Sequence, residues 1–391
     1  MNREQVSQEI LNMPNVHILC ELPTSFGKSK IALDLMAKRL TPLNKILIVI
    51  PRNVLKDNWE EEFKKWGYYN YYKSAVTFVT YVSFPKKAGT WDLVIFDECH
   101  HLSERCQESL KSYNIKNSIL LSATVKREFK QSLKSLFPNL GTYKVNIKDA
   151  TEEGILPDPK VFLIPLHLDT RYATYEIVKN TNKGNPLTIP FSQRFQCKGI
   201  KNRKIIIKCT QQQYYNDMTS LIEWYRKKIY SNIFKQIFLR KSGERLKWLS
   251  DQKTTFVKHL LDQLHKERTL TFCNSIYQTE QLGTNCINSK NKESKNILDN
   301  FNAGLCNHIT ACDILNEGVN LSSCRVGIYA SLNSSERIIK QKLGRLLRHP
   351  DPIIIIPYYK DTRDEELVKR MCEDYNPQLI KTINNIKEIK L

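Results

Sequence analysis

No stretch of this 391-residue chain approaches the roughly 18 to 20 consecutive apolar residues that a membrane-spanning helix needs. The opening Met1-Asn-Arg-Glu-Gln5 is polar and lacks the apolar segment of a secretory signal, so a cytoplasmic location and no membrane partner are expected. None of the eleven cysteines forms a CxxC pair, and their number is odd. That argues against a disulfide framework or a zinc ribbon and for a reducing, cytosol-like compartment. Cys20 and Cys273 stand inside apolar runs, as small core residues do. Low-complexity tracts are absent. Acidic residues are also short: 40 Asp and Glu face 60 Lys and Arg, a net charge of +20. Such a surplus makes a polyanion the expected partner, through phosphate neutralisation and counterion release, although a lysine-rich compositional habit would give the same number.

What is present is organised. The run Val94-Ile-Phe-Asp-Glu-Cys-His100 is an apolar strand that delivers Asp97 and Glu98 side by side at its end. An NTPase uses such a pair to hold Mg²⁺ with one carboxylate and orient a water with the other. About seventy residues upstream, Pro23-Thr-Ser-Phe-Gly-Lys-Ser29 follows a second apolar run, Val16 to Cys20, and precedes a helical pattern, Lys30 to Met36. Strand, loop and helix in that order make a phosphate cradle: backbone N–H groups and a helix N-terminus converge on the anion, and Lys28 adds a point charge. Lys28 is thus placed to bridge the β- and γ-phosphates, and Ser29 to share Mg²⁺ with Asp97. Glu98 is the candidate base for attack on the γ-phosphate.

Apolar strands alternate with helices through most of the chain. Lys45–Ile50, Thr77–Val82, Leu93–Phe96 and Ser118–Leu121 read as strands, and Val54–Trp66 as a helix with Leu55, Trp59, Phe63 and Trp66 on one face. Continuous apolar strands between helices predict an α/β fold with parallel sheets covered on both faces. A first domain is expected over 1–150 and a second over 151–391, with the turn-forming Gly154–Pro159 between them. The second resumes the alternation at Val161–Ile164, Thr269–Cys273, Arg325–Ala330 and Ile353–Ile356, with a helix from Ser335 to Leu347. Between about 170 and 255 the pattern changes. A strand at Lys204–Lys208 is followed by Tyr214, Met218, Leu221, Ile222, Tyr225 and Ile229 at helical spacing, then by Ile233, Phe234, Ile237 and Phe238. This predicts a mainly helical insertion. From Lys198 to Lys247 it holds thirteen Lys or Arg against three Asp or Glu, an excess of ten and half the net charge of the chain.

With these segments in view, the chain resembles the superfamily-two helicases and translocases over nearly its whole length, and more narrowly their DNA-directed branch of restriction motors and repair helicases. Thr24 to Ser29 resembles motif I, a Walker A loop. Asp97-Glu-Cys-His100 resembles a DECH form of motif II, and Leu121-Ser-Ala-Thr124 motif III. Asn316-Glu-Gly-Val-Asn320 resembles motif V and Gln341-Lys-Leu-Gly-Arg-Leu-Leu-Arg348 motif VI. The resemblance implies two RecA-like domains, ATP with Mg²⁺ in the cleft between them, and nucleic acid across the top. Two positions depart from the pattern: Leu22 stands where a strict loop has its first glycine, and Ser25 where the family commonly has another. Near the N-terminus, where family members often carry a glutamine that reads adenine, Gln5 is the candidate, and the pattern around it is incomplete.

The resemblance also distributes roles. Thr24, Ser25, Phe26, Gly27, Lys28, Ser29, Asp97, Gln341 and Gly318 would surround the nucleotide. Arg345 and Arg348, three apart on the expected helix, would reach the γ-phosphate from the second domain. Ser122, Thr124 and His100 would link the nucleotide site to the nucleic-acid face by hydrogen bonds, whereas His101 reads as a surface residue. Arg52, Thr80 and Asn274 sit at strand ends resembling motifs Ia, Ib and IV and would meet backbone phosphates. In the insertion, Lys201, Arg203, Lys227 and Lys228 would grip phosphates, while Tyr214 and Tyr225 belong to the helical apolar stripe and read as core.

The expected activity is therefore an ATP-dependent motor on nucleic acid, with DNA favoured, RNA as the alternative, and partner proteins of a replication, repair or restriction complex. No nuclease or methylase region is visible. A nucleic-acid-binding module with an impaired ATPase is the rival from another class; retention of Asp97, Glu98, Arg345 and Arg348 argues against it.

Overall fold

The computed structural model describes residues 2–40, 44–179, 185–197, 200, 203–283, 285–312 and 321–389. Its strands are β1 (His17–Glu21), β2 (Ile46–Ile50), β3 (Val76–Thr80), β4 (Thr90–Phe96), β5 (Asn114–Ser122), β6 (Gly141–Lys144), β7 (Lys160–Leu166), β8 (Tyr175–Lys179), β9 (Leu187–Pro190), β10 (Ile205–Cys209), β11 (Thr269–Cys273), β12 (Cys286–Ile287), β13 (His308–Cys312), β14 (Val326–Tyr329), β15 (Ile353–Tyr359) and β16 (Ile380–Thr382). Six of them form a first sheet in the order β3-β2-β4-β5-β1-β6, parallel throughout. Seven form a second, β12-β13-β11-β14-β15-β7-β16, likewise parallel. Two all-parallel sheets with helices on their faces are what the strand–helix alternation predicts, and they match the two RecA-like domains that the resemblance implies.

The period-two alternation of strand side chains builds two cores on the first sheet. Ile46, Ile48 and Ile50 pack with Cys20, Ile95 and Leu121 in one core with Val6 and Ile10 of α1 (Arg3–Leu11), Leu33 and Met36 of α2 (Lys28–Arg39) and Trp59 of α3 (Leu55–Lys65). Leu47, Val49, Val94, Phe96 and Leu120 point the other way, onto Leu133 and Phe137. Parallel strands buried on both faces bring their C-terminal ends to one edge, and there the loops after β1, β2, β3, β4 and β5 gather.

The insertion carries more than the predicted strand and helices. Strand β10 pairs antiparallel with β8 and parallel with β9, so a small three-stranded sheet precedes the helices Gln211–Arg226 and Asn232–Gln252. Tyr214 stacks among Tyr175 and Trp248 at ring distances of 5.4 Å, and Tyr225 lies 6.1 Å from Phe234, the packing positions expected of both. Among the described residues, no helix is long and apolar enough to cross a membrane.

Candidate nucleotide site

The loop between β1 and α2 is held by what the sequence has in place of glycine. Leu22 and Phe26 are fully buried, so both anchor the loop in the core, and Phe26 has only its backbone to offer a ligand. Ser25 adopts a left-handed backbone (φ 69°), and Gly27, which precedes the helix, does so at φ 101°. A side chain is strained in that region, which explains the glycine at 27 and makes Ser25 unusual. Lys28 opens α2 and Ser29 is its second residue. The ammonium of Lys28 donates to the Leu22 carbonyl at 3.3 Å and stands 3.6 Å from Glu98 Oε1. The hydroxyl of Thr24 is buried and has no hydrogen-bond partner among the described residues.

Strand β4 ends at Phe96 and presents Asp97 and Glu98 toward that loop. Glu98 also has a left-handed backbone (φ 50°), a second strained residue in one place. Burial and the adjacent Glu98 carboxylate push the Asp97 carboxyl up to about 6. The indole N–H of Trp59 donates to Asp97 Oδ2 at 2.9 Å, and the Tyr81 hydroxyl donates to the Asp97 main-chain oxygen at 2.7 Å. Sequence reading placed Trp59 on an apolar helix face and assigned Tyr81 nothing. Their partner is reached only through the fold, 38 and 16 residues along the chain.

His100 lies 3.4 Å from Glu98 Oε2 through Nδ1, and the same nitrogen is 3.1 Å from the hydroxyl of Ser122. That hydroxyl donates to the Thr124 carbonyl at 3.0 Å. One line of polar contacts thus joins the end of β4 to the end of β5. His101 is half-buried rather than superficial, with its ring 5.7 Å from Tyr81 and 4.5 Å from His100. Glu21, at the end of β1, is a buried acid that sequence reading passed over; Lys130 and Lys144 stand 3.8 and 3.7 Å from it. It lines a cavity of about 820 Å³ together with Thr124, Lys126, Lys144, Ser335 and Lys340.

From the second sheet, the helix Glu336–Leu346 docks directly on the loop before α2. The Ser25 hydroxyl donates to the Gly344 carbonyl, and Arg348 Nε donates back to that hydroxyl at 3.3 Å. Gly344 permits the approach: a Cβ there would fall 2.2 Å from Thr24 Cβ. The same helix is seated on β14 at Gly327, where a Cβ would lie 2.1 Å from Leu346 Cδ1. Gln341 and Arg345 are buried in this contact region. The helix was expected to reach Leu347 and to place Arg345 and Arg348 on one face. It ends at Leu346, so Arg348 lies in the turn beyond, where its NH1 donates to the Leu321 carbonyl at 2.7 Å.

Arg52 is exposed in the turn after β2, Thr80 closes β3, and Asn274 follows β11. Arg203 and Lys227 are exposed, whereas Lys228 is half-buried with its ammonium 3.5 Å from the centre of the Trp224 ring. Lys201 and the segment Asn316–Asn320, with Gly318, lie outside the described residues. Gln5 is exposed and its side-chain oxygen accepts from the Asn2 amide at 2.7 Å, closing a helix cap rather than a base pocket.

Comparison with known proteins matches this geometry. The family profile described as the res subunit of type III restriction enzymes matches residues 3–127, and that of the helicase conserved C-terminal domain matches 252–350. The chain belongs to the superfamily-two helicases. It is an ATP-hydrolysing helicase or translocase, the chemistry common to both matched domains. Among solved structures, Saccharomyces cerevisiae Dbp5 bound to RNA and ADP BeF3 is similar at 11% identity and a TM-score of 0.56, covering 98% of this chain and 89% of that one. The Hef helicase domain of Pyrococcus furiosus is similar at 15% identity and a TM-score of 0.51, covering 94% and 97%. A fragment of a putative HsdR subunit of a type I restriction enzyme from Vibrio vulnificus is similar at 14% identity and a TM-score of 0.57, covering 98% and 67%. At these identities the likeness concerns the fold. No curated protein matches in sequence.

Proposed function

We propose that this helicase is a DNA-directed motor with its ATPase site between the loop before α2, the end of β4 and the helix Glu336–Leu346. The convergence of Lys28 with Glu98 at 3.6 Å, beneath a second-sheet helix seated on Ser25 and Thr24, carries the reading. The domains divide near residue 150, and the helical insertion at about 170–255 belongs to the second. Lys28 and the backbone of Thr24, Ser25, Phe26 and Gly27 bind the phosphates, with the orphaned Thr24 hydroxyl available as a donor.

The residues present fit Mg²⁺. Asp97 is an acid raised by burial, a condition that a cation reverses, and Ser29 adds a hydroxyl. Among the described residues, no group of three or more His, Cys, Asp or Glu could cage a metal. An ion held by one carboxylate and one hydroxyl takes its other ligands from water and phosphate, as Mg²⁺ does. When bound, it neutralises charge on the β- and γ-phosphate oxygens. Glu98 orients the attacking water and accepts its proton, and Arg345 stabilises the charge that spreads over the phosphoryl oxygens. Arg348, tied to Ser25 and Leu321, holds the two sheets together as well as facing the site. Gln341 contributes from the second-domain side, and Gly318, outside the described residues, is assigned to the nucleotide by the resemblance alone. His100, Ser122 and Thr124 relay the state of Glu98 toward β5.

Nucleic acid meets Arg52, Thr80 and Asn274 at the strand ends, and Lys201, Arg203, Lys227 and Lys228 of the insertion. DNA is favoured because the first-domain match is to a restriction-enzyme subunit, which also favours partner chains in a restriction or repair assembly. RNA, the polymer bound by Dbp5, is the alternative. The deciding experiment is ATP turnover measured side by side with single-stranded DNA, duplex DNA and RNA. Stimulation by either DNA form above RNA is expected; stimulation by RNA alone would replace the DNA reading.

A further inference from the structure

Asp97 is gripped from both faces of the first sheet, by Trp59 on α3, the helix that follows the Arg52 turn, and by Tyr81 in the turn after Thr80. Trp59 is 2% exposed and reaches Oδ2 from the core beneath α2 and α3. It stands on the second turn of α3, whose first turn is closed by the Arg52 carbonyl accepting from the Leu55 amide at 3.0 Å. Tyr81, 6% exposed, reaches the Asp97 carbonyl from the opposite core and directly follows Thr80. The backbone closes the same triangle: Tyr81 N–H donates to the Ile50 carbonyl at 3.2 Å, and Asp97 N–H to the Val49 carbonyl at 2.9 Å. Hydrogen bonds thus tie the ends of β2, β3 and β4 to one another.

A buried indole or phenol needs an acceptor, and any backbone carbonyl would satisfy one. The indole instead takes a carboxylate oxygen, Oδ2, a stronger partner, and that bond restricts rotation of the carboxylate. Donors that orient a ligating group from behind commonly govern ion affinity without touching the ion.

We propose that Trp59 and Tyr81 are positioning residues that fix Asp97 from α3 and from the turn after β3, so that DNA seated at Arg52 and Thr80 and the cation held by Asp97 strengthen each other's binding. The inference rests on the reading of Asp97 as a Mg²⁺ ligand and of Arg52 and Thr80 as phosphate contacts. Coupling of this kind is reciprocal: the factor by which DNA lowers the Mg²⁺ requirement equals the factor by which Mg²⁺ tightens DNA.

The test uses the full chain and binding of a fluorescent ADP analogue titrated with Mg²⁺, with and without a single-stranded DNA oligonucleotide. Trp59→Phe keeps the ring and deletes the donor. It should raise the half-saturating Mg²⁺ concentration about ten-fold. Nucleotide binding in EDTA should stay at the parent level, and the DNA-induced shift in Mg²⁺ requirement should shrink. Tyr81→Phe, which loses one oxygen, should shrink the same shift with a smaller change in Mg²⁺ affinity. Trp59→His, retaining an N–H donor, should restore part of the lost affinity. A folded Trp59→Phe with the parent Mg²⁺ requirement and DNA shift overturns the proposal. If that variant does not fold, an unchanged shift in Tyr81→Phe overturns it equally. A parent protein that binds the analogue without regard to Mg²⁺ overturns the assignment of Asp97 and the proposal together.

Discussion

The two parallel sheets bury charge in different ways. In the second sheet, Lys253 and Asp364 form an ion pair at 2.9 Å with side chains 0% and 1% exposed. Its remaining needs are met internally: Lys253 Nζ reaches the Pro357 carbonyl at 3.4 Å, and Asp364 accepts from the Tyr359 amide at 3.4 Å. In the first sheet, Lys28 and Glu98 stand 3.6 Å apart, Asp97 is raised by burial, Thr24 has an unused hydroxyl, and Ser25 and Glu98 have strained backbones. Burial of charge is common to both. Incomplete partners and stored strain mark the first set as one built to receive something, while the second is closed on itself.

The sharpest way to break this comparison is to remove charges from the open set. Arg345→Ala should lower ATP turnover by about 10³-fold or more while leaving DNA affinity largely intact. Glu98→Gln should lower it by about 10²–10⁴-fold with nucleotide still bound. Lys28→Ala should lose both turnover and nucleotide affinity. Steady-state turnover and equilibrium binding on the same preparations separate the three, and near-parent turnover in Glu98→Gln would remove that residue from the chemistry.

The closed pair should respond in stability alone. Lys253→Met strands a buried carboxylate and should lower unfolding free energy by about 3–5 kcal/mol in urea melts. Adding Asp364→Leu should recover much of that loss. Nucleotide affinity of the folded fraction should not change. If it does, the second-sheet pair is coupled to the nucleotide site and is not closed on itself.

Asp97 offers an intermediate case with a sign opposite to that of Lys253. Its carboxyl titrates higher in the folded than in the unfolded chain, so the folded form binds the extra proton as pH falls through about 6. Without nucleotide and Mg²⁺, the protein therefore loses stability as pH rises toward 6 and carries the full penalty above it. Asp97→Asn should raise stability by about 1–2 kcal/mol at pH 7.5 and change it little below pH 4. Thermal melts across that range would show equal effects at both ends if the penalty were absent.

The smallest effect belongs to the insertion. Arg203→Glu with Lys227→Glu should flatten the slope of log K against log salt by about 0.7–0.9 per lost phosphate contact, on every DNA sequence alike. Lys228 is a poorer choice for this comparison, since its place on the Trp224 ring means reversal would also disturb packing.

What could be read in advance follows the range of the forces involved. Strands β1 to β5, α2 and α3 were visible because apolar periodicity is local, and Asp97, Glu98 and Lys28 because strand ends announce themselves. The sheet of β8 and β9 was not. These are short strands, only one of their nine residues is buried, and their partner β10 is set by long-range pairing. The helix end before Arg348 was missed by one residue for a related reason: helical spacing carries past a helix end, and the contacts of Arg348 with Ser25 and Leu321 are long-range. The partners of Trp59 and of Lys253, the latter 111 residues from Asp364, exist only after folding.

Gly344 sets a mechanical limit. With only hydrogen on its α-carbon, the second-sheet helix can approach Thr24 until backbone meets side chain, and no methyl group separates them. Repulsion at such contact rises far more steeply than any attraction falls, so it behaves as a hard stop rather than a spring. A cycle that repeatedly brings these surfaces together would return to the same spacing each time, whatever force drives it. Each stroke would then begin from a position reproducible to a fraction of an ångström.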